Sequence, residues 1–180
     1  MLNEKPSLFL ITGIMASGKS TVAQLLSERF EKSVHLRGDI FRKMIVRNRR
    51  EVGPDSGDAE LDQLKLRYRL TAMSADAYYG AGFNVIIQDV VIGPLLHDFI
   101  SYLRNRPFTL VVLCPSVEAV ERREAARSKK GYGLWTAAGL DRVLREETPK
   151  IGMWLDSTGL TPEETVNEIL RRSKTEGLIL

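Results

Sequence analysis

Along the chain, apolar residues arrive in two rhythms. Short continuous runs, Leu8-Phe9-Leu10-Ile11-Thr12 ending at Gly13, Val34-His35-Leu36, Asn84 to Asp89 and Phe108 to Cys114, suit strands buried in a parallel sheet. Between them the spacing becomes helical. Val22, Leu25, Leu26 and Phe30 share one face, and Leu61, Leu64, Tyr68, Ala72, Ala75 and Tyr79 mark a long helix stopped by Gly80 and Gly82. Further helices are predicted over Asp39 to Arg50, Pro94 to about Arg104, Val117 to about Arg127 and Ala137 to Glu147. Gly152 to Asp156 reads as a fifth strand. The last helix opens with Thr161 as cap, Pro162 at its first position and Glu164 closing a capping box before Val166, Ile169 and Leu170.

Strands that alternate with helices at these spacings predict an α/β fold: three layers, with a five-stranded parallel sheet covered on both faces. In such sheets ligands sit beyond the carboxyl ends of the strands. That rule directs attention to Gly13 onward, Arg37 to Asp39, Asp89 to Gly93, Cys114 to Ser116 and Asp156 to Gly159. Gly53 to Asp58 is the likeliest kind of sequence for an exposed loop, and no repeat or linker divides the chain, so residues 1–180 are expected to form one domain.

Composition sharpens this outline. A chain of 180 residues that is 43% hydrophobic and 27% charged has globular character, which excludes disorder as its main state. One cysteine excludes an intrachain disulfide. No apolar run nears the roughly 20 residues that span a bilayer, and the start Met-Leu-Asn-Glu-Lys-Pro lacks a signal-peptide layout, so no membrane partner and a cytoplasmic location are expected. The surplus of 26 Lys and Arg over 23 Asp and Glu, +3, is modest for a nucleic-acid binder. The cations gather in two places, Arg37 to Arg50 and Arg122 to Lys130.

The chemistry is announced by Gly13-Ile14-Met15-Ala16-Ser17-Gly18-Lys19-Ser20, which fits G-x-x-x-x-G-K-[ST] between a strand and a helix. Glycines let the backbone curl so that N–H groups meet phosphate oxygens at a helix N-terminus, with Thr21 in the same turn. Lys19 is placed to reach the β and γ phosphates, and the Ser20 hydroxyl to ligate Mg²⁺. ATP and Mg²⁺ are the expected cofactors.

Phosphoryl transfer also needs an acceptor site and charge neutralisation. Asp39, between the second strand and a helix, suits a general base toward an acceptor hydroxyl and equally a helix cap. Asp89 ends the third strand as a Walker-B-like carboxylate would, to hold Mg²⁺ or touch the acceptor; a strand-end turn is its structural alternative. Arg123 and Arg127, four apart, share a helix face and would close over the phosphates as a short Arg-rich lid around residues 122–136, or pair with Glu121 and Glu124 on a solvated face. Arg42 and its basic neighbours could line an acceptor site, though charges around a helix are usually its wet side. His35, His97 and Cys114 have no metal-ligand spacing.

Together these segments resemble small P-loop kinases, most closely chloramphenicol phosphotransferase-like proteins, with zeta toxins and gluconate kinases more distant. The likeness rests on the phosphate loop, Gly38-Asp39, Ala81 to Gly93, Glu121 to Lys130 and Leu155-Asp156-Ser157-Thr158. It implies a nucleotide-kinase-like sheet with a lid, Asp39 as base, Arg123 and Arg127 on the ATP phosphates and Asp156 among the nucleotide contacts. Gln88 departs from the pattern, as does the basic segment Ile40 to Leu70, which forms the acceptor walls. The expected activity is ATP-dependent phosphorylation of a hydroxyl on a small molecule, an antibiotic or a sugar-like compound. A polynucleotide or RNA-end kinase and a non-enzymatic nucleotide switch are the alternatives.

Overall fold

The strand runs form where the pattern places them. In the computed structural model, which describes residues 5–128 and 131–180, β1 (Leu8–Gly13), β2 (Ser33–Arg37), β3 (Asn84–Gln88), β4 (Phe108–Leu113) and β5 (Met153–Leu155) pair in parallel in the order β2-β3-β1-β4-β5. β1 is central, with Leu10 beside Ile87 of β3 and Leu110 of β4. The chain start, read above for a leader, and Lys129 and Lys130 lie outside the described residues.

Alternation of side chains along each strand divides the core into two layers. Leu8, Leu10, Val85, Ile87, Leu110 and Val112 face one side. There they meet α3 (Asp58–Gly80), α4 (Leu95–Tyr102) and α6 (Ala137–Arg142) through Tyr68, Ala72, Phe99 and Leu140. Phe9, Ile11, Ile86, Val111 and Leu113 face the other, covered by Val22 and Leu26 of α1 (Lys19–Glu28) and Val166 and Ile169 of α7 (Pro162–Glu176). Tyr68 and Phe99 meet edge to face at 5.3 Å, and the Tyr68 hydroxyl donates to the Val90 carbonyl at 2.6 Å, which fixes α3 against the end of β3. The α7 capping box is formed: Glu164 N donates to Thr161 Oγ1 at 3.2 Å and Thr161 N to Glu164 Oε2 at 2.8 Å.

Four elements differ from the sequence-based expectation, the last of them a sixth, antiparallel strand added to the expected five-stranded parallel sheet. The helix predicted over Asp39 to Arg50 ends at Lys43 as α2 (Asp39–Lys43). Beyond it Met44 and Val46 are exposed and Asn48 has φ of 60°, because this stretch has no core to cover and instead crosses to α3, where Arg50 N donates to Gln63 Oε1 at 2.9 Å. The helix predicted to Arg127 stops at Ala125 as α5 (Val117–Ala125), and the one over Ala137 to Glu147 changes from α6 into a π-helical turn (Val143–Glu147). A short β6 (Leu178–Ile179) returns antiparallel to the start of β4. Two residues carry too little pattern to announce such a strand.

β5 depends on a glycine. Gly152 holds φ of +72° immediately before it, and a Cβ there would sit 2.7 Å from Leu110 Cγ and 2.8 Å from its carbonyl oxygen. Gly152→Ala therefore strains the backbone and crowds the core at once, and is expected to cost about 2–4 kcal/mol. A calorimetric midpoint lowered by roughly 5–12 °C checks this; an unchanged midpoint contradicts it.

Candidate active site

The turn from β1 into α1 is shaped by its glycines. Gly13 holds φ of +142° with its α-carbon against the Leu113 carbonyl, where any Cβ would overlap, and Gly18 holds φ of +98°. Between them Ala16 is left-handed at φ 61°. The loop thus turns inside out toward the N-terminus of α1, the arrangement that gathers backbone N–H groups and the positive helix end around an anion. Lys19 is only 5% exposed and donates to the loop's own Ile14 carbonyl at 2.6 Å. Burial pushes its amine down to about 7; the Asp89 charge opposes that shift, while Arg127 and Arg67 add to it. Ser17 is buried with no partner for its hydroxyl. A buried ammonium without a carboxylate partner and an orphaned hydroxyl in one loop fit a phosphate chain. Ser20 is exposed on the same cleft one position beyond Lys19. Among the described residues no three His, Cys, Asp or Glu side chains group as a metal centre.

The facing wall is organised by Asp89, Arg67 and Asp39. Asp89 is 2% exposed, and both its oxygens are engaged: Arg67 of α3 grips it through two nitrogens, Nε at 2.9 Å, and Val90 N donates to Oδ1 at 2.7 Å. Burial works against the Arg67 charge, and the neighbouring carboxylate of Asp89 outweighs it. Gly38, opening α2, sits where any Cβ would overlap Asp89, so the turn that carries Asp39 packs directly on the buried carboxylate. Asp39 in turn receives Arg42 Nε at 2.8 Å, Lys43 Nζ at 2.9 Å and Arg67 Nη1 at 3.5 Å. Partial burial raises its pKa, but the hydrogen bonds from Arg42 and Lys43 win and hold it below the usual carboxylate value. Asp39 makes no side-chain cap bond at the start of α2.

The end of α5 and residues 131–135 touch both walls. Arg123 donates to the Ser17 carbonyl at 3.2 Å and to the Ser157 carbonyl at 2.8 Å, bridging the phosphate loop and the segment after β5. Asp156 in that segment accepts from Thr158 N at 2.9 Å and Thr158 Oγ1 at 2.6 Å, while Ser116 N donates to Thr158 Oγ1 at 2.8 Å, so Asp156 sets the shape of its loop. Arg127 lies past the end of α5, bonded to Glu124 at 3.1 Å. The Tyr132 hydroxyl donates to the Met15 carbonyl at 2.7 Å, and Trp135 Nε1 to the Val52 carbonyl at 3.0 Å. The segment around residues 131–135 therefore touches the phosphate loop and the loop between α2 and α3.

These walls enclose one cleft of about 1340 Å³. That exceeds the roughly 300–1,000 Å³ of ordinary ligand pockets and has room for two ligands. Met15 to Thr21, Asp39, Arg42, Asp89, Arg123 and Arg127 all line it, whereas Gly13, Ile14 and Asp156 do not. Sequence reasoning missed Arg67, Tyr132 and Trp135. Arg67 left a signal: it stands between Leu64 and Thr71 on the inward stripe of α3, a charge where the pattern asks for an apolar residue.

A phosphate-binding loop at the central strand of this sheet defines a P-loop kinase-like protein. The chain belongs to the AAA domain family AAA_33, whose model matches residues 8–146. A protein of Pyrococcus furiosus named "Putative adenylate kinase" is 31% identical over 170 residues, covering 91% of this chain and 82% of its own length. Among solved structures, a sugar kinase from Janibacter sp. HTCC2649 is similar with TM-score 0.67 at 18% identity, covering 92% of this chain and 93% of that one. The APS kinase CysC of Mycobacterium tuberculosis is similar with TM-score 0.66 at 19% identity, covering 93% and 96%.

Two stability effects are expected from this arrangement. The folded Lys19 value of about 7 lies below the 10.5 of an exposed lysine, so the unfolded chain holds the extra proton between those pH values. The cost of burying the charge is then complete below about pH 7 and relieved as pH rises toward 10.5. At about 1.4 kcal/mol per pKa unit this is a few kcal/mol. Lys19→Met should melt higher than the wild type at pH 6 while losing ATP affinity, with the gap shrinking by pH 10 in thermal scans. A constant gap would contradict it. Arg67→Ala leaves Asp89 buried and unpaired, and chemical denaturation should report a loss of about 3–5 kcal/mol.

Proposed function

We propose that this chain is an ATP- and Mg²⁺-dependent kinase that transfers the γ-phosphoryl group to a hydroxyl of a small molecule. The observation that carries the reading is Asp39: an ionised carboxylate, fixed through Arg67 to the end of β3, that lines the same cleft as Lys19. The acceptor oxygen forms its bond to the γ-phosphorus while the bond from that phosphorus to the β,γ-bridging oxygen breaks. ADP leaves and the hydroxyl proton passes to Asp39, which then yields it to solvent.

The residues of the two walls divide the work. The phosphate loop from Gly13 to Thr21 holds the triphosphate, and Lys19 counters the charge that gathers between β and γ phosphates in the transition state. Ser20 would hold the Mg²⁺, which supplies neutralisation of the phosphate oxygens when bound. Arg123, bonded only to main-chain carbonyls at Ser17 and Ser157, can turn toward the phosphates without abandoning a carboxylate. Arg127 joins it in the proposed lid around residues 122–136. Asp89, with its oxygens engaged, acts on metal or acceptor through Arg67 or through water.

The resemblance to chloramphenicol phosphotransferase-like proteins and the kinase names of the structural neighbours support this reading. An antibiotic or sugar-like alcohol remains the class of acceptor it suggests, and dependence on ATP fits a cytoplasmic enzyme. Of the basic segment, Arg37, Arg42, Lys43 and Arg50 line the cleft and Arg47 and Arg49 do not; an RNA-end kinase would bind oligonucleotides with a strong salt dependence, and absence of such binding eliminates it. A screen of hydroxyl-bearing metabolites and antibiotics for ADP release above water hydrolysis should find an acceptor. Asp39→Asn should then lower kcat by roughly 10²–10⁴ with the ATP dissociation constant unchanged. Full activity in that variant would remove Asp39 from the reaction, and failure of every acceptor would favour a nucleotide switch.

A further inference from the structure

Cations in the cleft fall into two groups according to what already neutralises them. On the phosphate side, Lys19 and Arg123 spend their hydrogen bonds on main-chain carbonyls, and only Arg127 has a carboxylate partner, Glu124. Their positive charge is therefore largely available to a polyanion. On the acceptor side the pattern reverses. Arg42 is bound by Asp39 at 2.8 Å and Glu51 at 2.5 Å, Lys43 by Asp39 at 2.9 Å, Arg50 by Glu60 at 2.6 Å, and Arg67 by Asp89. Four cations meet four carboxylates. Among the described residues, the remaining charges on this wall, Arg37 and Glu147, are both exposed and of opposite sign.

Such a wall offers an anion little. A phosphate drawn to Arg42 or Arg50 approaches Glu51 or Glu60 at nearly the same distance, and the attraction and repulsion are of similar size. Shifting a carboxylate aside leaves it within a few ångströms, still repelling. At Asp89 it cannot shift at all, because the carboxylate is buried and also held by Val90 N. Between the ion pairs the lining carries the apolar side chains Phe41, Leu61, Leu64, Ile92, Leu95 and Trp135, with the uncharged polar Gln63 and Gln88 beside them. The cap over this end is also apolar. Leu134 packs on Gly53, within 3.2 Å of the position of a Cβ there, beside the bond from Trp135 to the Val52 carbonyl.

We infer that the acceptor is an uncharged alcohol with an aromatic or aliphatic body, and that phosphorylated acceptors such as nucleoside monophosphates are disfavoured. This rests on the kinase reading above. It separates this chain from the activity named for its archaeal relatives, whose acceptor would carry a phosphate. Asp39 keeps its role with such a substrate: the neutral hydroxyl is the one group that needs a carboxylate acceptor, while the body of the molecule lies on the apolar lining. The transfer balances as before, with the alcohol oxygen bonded to phosphorus, ADP released and the proton passed through Asp39.

Matched pairs that differ by a single phosphate test the inference without requiring the natural substrate. With the full chain saturated by Mg²⁺ and a non-hydrolysable ATP analogue, calorimetry would compare adenosine with AMP, and 3-phenylpropane-1,2-diol with its 1-phosphate. The uncharged member of each pair should bind at least 10-fold more tightly, and its affinity should change little between low and high salt. Replacing both Glu51 and Glu60 by Gln removes the carboxylate partner of Arg50 and one of the two that bind Arg42, leaving Asp39 in place, and should raise AMP affinity about 10-fold with a new dependence on salt. Tighter binding of the phosphorylated members to the wild type overturns the inference, as does binding of neither member at millimolar concentration, or a double variant whose AMP affinity is unchanged. If the uncharged members bind and no phosphate is transferred from ATP to any alcohol, the kinase reading has failed and the charge sorting has not.

Discussion

A carboxylate buried at the end of a central strand has to be paired, and in this protein the pairing of Asp89 sets the geometry of everything around it. Its partner, Arg67, comes from a helix 22 residues away in sequence, so the bond clamps α3 onto the sheet. The same guanidinium reaches Asp39, and Gly38 packs on the Asp89 oxygens. One ion pair thereby positions the second strand's exit, the long helix and the proposed base. Val90 N completes the shell, and the next residue, Val91, exchanges bonds with Thr12 Oγ1 at 2.8 and 2.9 Å, which ties this wall to the strand that carries the phosphate loop. Isolated buried pairs are weak evidence of stability, but this one joins the end of β3, α3 and the turn from β2 into α2.

The two walls of the cleft are built on opposite electrostatic logic. The phosphate loop keeps its cation nearly dry, and that burial depresses the amine, while its hydrogen bond goes to a neutral carbonyl instead of a carboxylate. The acceptor wall saturates each inward cation with a carboxylate. A triphosphate has somewhere to place its charge only on one side of the cleft. Polarity of binding follows from this without any contact specific to a base or a sugar.

Much of the fold was legible in the sequence. Each of the four short apolar runs became a strand; for β1, β3 and β4 this is because a run buried on both faces has few other solutions, and the phosphate loop was legible because its glycines and lysine are needed at fixed spacing. What the sequence hid shares one property: it depends on pairing between distant segments. Arg67 sits among Lys65 and Arg69, and nothing local tells which of the three points inward except its place beside Leu64 and Thr71 on the buried stripe. The segment after Lys43 has helical composition yet leaves the helix, since amphipathic spacing predicts a helix only where a core waits for its apolar face. Met44 and Val46, both largely exposed, have none.

The lid illustrates why acceptor identity is the last thing a sequence yields. Arg123 was read from its spacing as closing over the phosphates, and its guanidinium bonds the Ser17 carbonyl; Leu134 and Trp135, at the end proposed for the acceptor, meet Gly53 and Val52 some 80 positions earlier. Tyr132, between these two functions, is bonded to Met15 of the phosphate loop. A stretch of a few residues thus touches the triphosphate site at one end and the acceptor cap at the other. On the kinase reading proposed above, substrate preference would belong to that loop-to-loop contact and to the paired charges beneath it. Both can drift in sequence while the sheet, the phosphate loop and the buried Asp89 stay as they are.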